Sequence, residues 1–175
     1  MRKIASLILA LLMLICPLSL TACSKEDDDG VIELNVYNWE DYIAQDEDAD
    51  LIKQFEEYYL ETYGKKVKVN YSTFGTNENM YNELQLSKVK TDNGYDYGYD
   101  LVCPSDYMIQ KMIYEGMVEK LDYSIPEGEE GSLYNYKKYV SNFIYNLFEN
   151  QEDIDGNKIN WNEYSIPYMF GTMGF

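Results

Sequence analysis

Two periodicities alternate along this chain, and their alternation limits the fold more than any single residue does. Ile32, Leu34 and Val36 alternate with Glu33, Asn35 and Tyr37, the period of two that sets one face of a strand against a core. From about Asp50 to Tyr63 the apolar spacing becomes helical. Leu51, Ile52, Phe55, Tyr59 and Thr62 share a face, and Gly64 suits the position just past the helix. Val67, Val69 and Tyr71 alternate again. The segment STFGTNEN then opens a helix with Met80 and Leu84 inward and Thr76 or Asn77 as its N-cap.

NGYDYGYD reads as a loop into a third strand, Asp100 to Cys103. Pro104 and Ser105 start a third helix, with Met108, Ile109, Met112 and Ile113 on one face and Gly116 at its end. Val118 to Leu121 reads as another short extended piece. Ser132 to Asn150 fits one helix with Tyr136, Val140, Phe143, Ile144 and Leu147 as its stripe. Asp155-Gly156-Asn157 is a turn, and Ser165 to Met169 a strand around Pro167, hence an edge strand or a strand end. The order β-α-β-α-β-α-β predicts an α/β fold: a mostly parallel sheet flanked by helices, with right-handed crossovers.

Residues 1–22 stand apart from this pattern. Arg2 and Lys3 precede an almost wholly apolar run from Ile4 to Leu20, and Leu20-Thr21-Ala22-Cys23 closes it. That is a secretory signal followed by small residues and a cysteine, and the four-residue pattern resembles a bacterial lipobox. The resemblance implies cleavage before Cys23 and a diacylglycerol on its sulfur. Residues 23–30, acidic and poor in apolar side chains, read as a flexible tether, and residues 31–175 as the folded part. The last segment, YSIPYMFGTMGF, is apolar and strand-like with no cap or polar tail, so the chain is expected to be a piece of a longer protein.

Charge and residue usage exclude several functions. Arg2 and Lys3 are the only charged residues before Cys23, so the remainder holds 31 acids against 12 bases, a net charge of −19. Such a balance speaks against nucleic acid, whose binding needs Lys and Arg on phosphates, and suits a cationic ligand. The chain has no histidine, which removes Ser-His-Asp catalysis, His-ligated metals and imidazole acid–base chemistry. With Cys16 in the signal and Cys23 as lipid acceptor, Cys103 alone remains, and Asp100-Leu101-Val102-Cys103 reads as the setting of a small buried hydrophobe. No cofactor or metal is expected. DIDGNKINWNE carries Gly156 too early for an EF-hand loop and reads as a plain turn.

Ligands of open α/β sheets gather outside the carboxyl ends of the strands. Three loops reach that edge: NWEDY, STFGTN and PSDY. The first and third mix an acid with aromatic rings. An anion site there would leave helix N-termini open and add glycine or basic residues. Here Asp41 and Asp106 occupy the loops, and no basic residue lies between residues 26 and 52. Trp39, Tyr42 and Tyr107 offer ring faces, worth about 0.5–2 kcal/mol per cation–π contact, and cover for methylenes at about 0.8 kcal/mol per buried CH₂. The alternation of acids and rings suits a flexible aliphatic polyamine. Each residue also has a plainer reading: Trp39 and Tyr42 as core aromatics, Asp41 as a solvated charge, Ser105 and Asp106 as helix caps.

The lipobox, YNWEDYI, YSTFGTNENMYNEL, YDLVCPSDYMIQKMIYEGMVEKLD and YSIPYMFGTMGF stand in the order and spacing of bacterial spermidine/putrescine-binding lipoproteins, which this chain resembles over most of residues 31–123 and 163–175. The resemblance implies a periplasmic-binding-protein fold of type II, of which residues 31–175 would form the N-terminal part of the first lobe, with the second lobe missing. It implies a non-enzymatic, monomeric receptor on the extracytoplasmic face of the cell membrane, held there by lipid on Cys23. Such a receptor passes spermidine or putrescine to the permease of an ABC importer. Ligand contacts of such proteins fall on Trp39, Glu40, Asp41, Tyr42, Ser105 and Tyr107. Trp39, Tyr42 and Tyr107 would pack on the ligand, Asp41 would hold an ammonium, and Ser105 would add a hydrogen bond. Glu40 stands where a small hydroxyl residue is common, and Asp41 is shorter than the glutamate often found there. The competing readings are a receptor of the same fold for another small cation and a lipid-anchored secreted hydrolase using paired carboxylates.

Overall fold

The computed structural model describes residues 30–44 and 50–169. The signal run, Cys23, most of the tether and the last six residues lie outside them. The chain divides into residues 1–31 and a unit from Ile32 to Phe175. Of the first part only Gly30 and Val31 are described.

The second unit is built on a three-stranded sheet in the order β2-β1-β5. Strand β1 spans Val31–Trp39, β2 Lys66–Phe74 and β5 Leu101–Val102. β1 and β5 run parallel, with Val36 opposite Leu101 and Tyr37 opposite Val102. Contacts of Glu33 with Lys68, of Asn35 with Asn70, and of the Glu40 N–H with the Phe74 carbonyl advance in the same sense along β1 and β2, so that pair is parallel too. Asp100 extends the β1–β5 ladder with its side chain: Oδ2 accepts the Asn35 N–H at 2.7 Å. The predicted parallel α/β arrangement is therefore what forms.

Helix α1, Leu51–Tyr63, connects β1 to β2. Asp50 caps it by accepting the Lys53 N–H at 3.1 Å, and Gly64 ends it at φ 67°, where a side chain would be strained. Glu56 reaches from α1 to the Val69 N–H at 2.8 Å, satisfying a donor on the edge strand β2. None of α1's residues is buried, and Leu51, Phe55, Tyr58 and Leu60 stay exposed.

Helices α2, Asn77–Ser87, and α3, Asp106–Tyr114, supply the core. Thr76 takes the N-cap role, its hydroxyl accepting the Asn79 N–H at 3.2 Å. Met80 and Leu84 from α2, Met108 and Met112 from α3, and Tyr37 and Phe74 from the sheet form one buried cluster. The Tyr37 ring stacks on Tyr99 at 4.6 Å and meets the edge of Phe74 at 5.0 Å. Its hydroxyl donates to Glu83 at 2.5 Å.

Four sequence expectations need correction. The NGYDYGYD stretch, expected as a loop, holds β4, Gly94–Asp96, which pairs with β3, Val89–Thr91, in a hairpin closed by Asp92 and Asn93. The single helix expected over 132–150 is two, α4 Tyr134–Tyr139 and α5 Asn142–Glu149. Val140 and Ser141 are extended between them, and the Ser141 hydroxyl caps α5 through the Phe143 N–H, a local bond that competes with helix continuation. No strand forms over 118–121, where the Leu121 N–H makes one bond to the Glu163 carbonyl. None forms over 165–169 either: Pro167 has no N–H, and the Ser165 N–H turns back to Trp161. The Asp155-Gly156-Asn157 turn closes a small hairpin of β6, Gln151–Glu152, and β7, Lys158–Ile159.

Met80 is fully buried, so Met80→Ala should cost about 2–5 kcal/mol of unfolding free energy, read as a lower urea midpoint at unchanged slope. Stability at alkaline pH follows from the tyrosines. A hydrogen bond to Glu130 raises Tyr59 to about 12, and burial raises Tyr136 to about 12, whereas an unfolded tyrosine titrates near ~10. Their contribution is complete below pH ~10 and is lost as pH rises through about 12, which chemical denaturation across that window will register.

Candidate functional site

β1 delivers Trp39 to the carboxyl edge of the sheet, and the chain turns there. Asp41 takes φ 61°, a left-handed conformation that aspartate tolerates better than most residues. The turn returns Tyr42 toward Trp39, with ring centroids 6.1 Å apart. Trp39 also packs on Phe74 at 4.8 Å. Asn38, buried, accepts the Trp39 N–H on its own Oδ1 at 2.8 Å. On the far side of Tyr42, the Tyr168 hydroxyl donates to the Tyr42 carbonyl at 2.6 Å.

The second wall leaves β5. The Cys103 N–H donates to the Tyr37 carbonyl at 3.0 Å, Pro104 follows, and Ser105 N-caps α3. The Ser105 carbonyl accepts the Met108 and Ile109 N–H groups, but its hydroxyl makes no cap bond. Asp106 Oδ1 accepts the Tyr107 N–H at 2.7 Å. Burial pushes the Cys103 thiol up, which disfavours a reactive thiolate.

Between these walls lies a cleft of about 480 Å³, within the range of roughly 300–1,000 Å³ usual for small-ligand sites. Trp39, Tyr42 and Ser105 line it together with Asp106, and Ile109, Leu147 and Phe148 add apolar surface. Of the other expected contacts, Glu40 and Asp41 are exposed on the turn and are not among the described lining residues. Tyr107 is also outside that lining. Its hydroxyl donates to Glu78 at 2.9 Å and accepts from Asn77 at 2.8 Å. The bond to Glu78 is the main reason its pKa lies above the ordinary tyrosine value.

The sequence reading overlooked Asn77 as anything but a cap. It is 4% exposed, its Oδ1 accepts the Ser105 N–H at 3.0 Å, and its Nδ2 donates to the Tyr107 hydroxyl. One amide thus ties the loop after β2 to the loop after β5. A signal was present: Thr76 already supplies the cap, which leaves the adjacent asparagine free for a distant partner. In the β6–β7 turn, by contrast, Asp153 is occupied by its own loop. Its carboxylate accepts from the Asn157 side chain and from the backbone of Asn157 and Asp155, bonds that hold it below the usual range.

No protein-family profile matches the chain. Among individual proteins, it is 32% identical over 155 residues to the spermidine/putrescine-binding periplasmic protein of Escherichia coli (strain K12), covering 89% of this chain and 34% of that protein. It is 33% identical over 141 residues to the putrescine-binding periplasmic protein SpuD of Pseudomonas aeruginosa (strain UCBPP-PA14), covering 81% and 29%. A crystal structure of the spermidine/putrescine ABC transporter substrate-binding protein PotD from Streptococcus pneumoniae aligns over 53% of this chain and 23% of that one, at 33% identity and a TM-score of 0.38. The chain spans about a third of the length of the curated relatives it matches. Over nearly nine tenths of its own length it is a homologue of the spermidine/putrescine-binding periplasmic proteins, in accord with the resemblance that its motifs carry.

Proposed function

We propose that this chain is the first-lobe part of an extracytoplasmic polyamine receptor, which binds spermidine or putrescine without chemistry and hands it to the permease of an ABC importer. The observation that carries the reading is the cleft at the carboxyl edge of the parallel strands. Aromatic and aliphatic residues wall it, Asp106 lines it, and no lysine or arginine is among its described lining. A hydrocarbon chain gains from rings and aliphatic walls, and an ammonium gains from a nearby carboxylate and from ring faces. Homology to proteins named for binding spermidine and putrescine supports the same ligand class.

In this reading Trp39 and Tyr42 pack on the methylenes, and the Ser105 hydroxyl, which makes no cap bond, accepts from an amine. Glu40 and Asp41 present carboxylates on the turn beside Tyr42, and Tyr107 holds the adjoining rim. Residues 1–22 direct export, Cys23 carries the lipid, residues 24–30 give reach from the membrane, and the receptor acts as a monomer.

A thermal-shift series tests this. Spermidine should raise the melting temperature of the full-length, two-lobed protein, while glucose and phosphate leave it unchanged. Trp39→Ala combined with Asp41→Ala should abolish the spermidine shift; if the shift persists, these residues are not the site. Separately, Asn77→Ala leaves the Ser105 N–H without its partner. It should cost about 1–3 kcal/mol of stability in denaturant titration and weaken spermidine binding with it.

A further inference from the structure

We propose that Asp106 is the residue that selects for charge in this cleft, seating one alkylammonium group of the ligand while the apolar walls take its carbon chain. The assignment rests on the polyamine-receptor reading and sharpens it. Among the described residues that line the cleft, Asp106 alone carries a charge. Glu40 and Asp41, the acids of the first loop, are exposed outside that lining, whereas Asp106, though also exposed, lines the cleft. Asp41 has a different part to play, since its φ of 61° makes the turn that brings Tyr42 back against Trp39.

The local bonding leaves Asp106 able to do this. Its Oδ1 accepts the Tyr107 N–H at 2.7 Å, and among the described residues Oδ2 accepts nothing. One oxygen therefore fixes the side chain against the first turn of α3 and the other remains for a ligand. The Ser105 hydroxyl, which makes no bond among the described residues, is next to it in sequence and Ser105 lines the same cleft, so a primary ammonium, with three donors, finds two acceptors on neighbouring residues. Beyond them Ile109, Leu147 and Phe148 offer only apolar surface. A second ammonium would have to reach the outer acids, so the cleft itself distinguishes a charged end from a neutral one and does not count charges.

The test is an NMR titration of the full chain, which detects binding as weak as millimolar, using spermidine, n-butylamine and n-butanol. Both amines should move the Trp39 indole and the Ser105 and Asp106 amides, and n-butanol should not. Asp106→Asn keeps an acceptor for the Tyr107 N–H, so a capping role alone predicts no change. The proposal predicts that it weakens both amines by about tenfold or more, the scale of a lost charge-assisted bond. Asp106→Glu should restore most of that loss. If Asp106→Asn binds both amines within about twofold of the parent while Trp39→Ala loses them, the receptor reading stands and the role of Asp106 is refuted. If spermidine moves no signal in the parent chain, the receptor reading falls and this assignment falls with it.

Discussion

The buried ring of Tyr37 is the contact on which the rest of this fold is assembled. It sits in the central strand, with Tyr99 stacked on one face and Phe74 meeting it edge-on, and its neighbours in the core come from both α2 and α3. Aromatic pairs of this kind add about 0.5–1.5 kcal/mol each beyond the area they bury. Their larger effect is directional. Once Tyr37 is fixed, β1 is placed between β2 and β5, and Trp39, two residues on, comes out on the same side at the sheet's edge. The Tyr37 carbonyl meanwhile accepts the Cys103 N–H, so this one residue places both walls of the cleft.

The hydroxyl of Tyr37 shows how so acidic a chain manages its carboxylates. With few lysines and arginines to pair against 31 acids, glutamates are also met by phenols: Tyr37 with Glu83, Tyr107 with Glu78, and, beside a lysine partner each, Tyr59 with Glu130 and Tyr81 with Glu115. A tyrosine donates without adding charge, so these bonds orient carboxylates while leaving the negative field of the protein intact. Ion pairs such as Lys53–Glu57 and Lys68–Glu33 lie at the surface, where each is worth at most about 1 kcal/mol. Acids outnumber bases over the folded part of the chain as a whole, so the net field stays negative.

Much of this architecture was legible because it is periodic. Alternation marked β1 and β2, helical spacing marked α1 to α3, and Thr76 and Gly64 announced helix ends by their own chemistry. The misreadings fall where a single local bond outweighs a period. Ser141 caps α5 and so splits an apolar stripe that would otherwise pass for one helix, and Ser165 bonds to Trp161 in place of a ladder partner. For the candidate site, the loops could be named because parallel topology sends every strand end to one edge. Which side chains face the cleft could not. Tyr107 faces Glu78 and Asn77, and Asn77 meets Ser105 across 28 positions of sequence, a contact that leaves no periodic trace.

That contact has a further consequence. Asn77 must accept with one atom and donate with the other, a pair of tasks that an amide performs and that neither a carboxylate nor a hydroxyl of similar reach performs in the same way. It has no proton to gain or lose over the range in which the surrounding acids change state. The spacing between these two loops is consequently fixed by a neutral group, in a protein with 31 acidic residues. The tie between the two loops therefore carries no charge that a change of pH could remove.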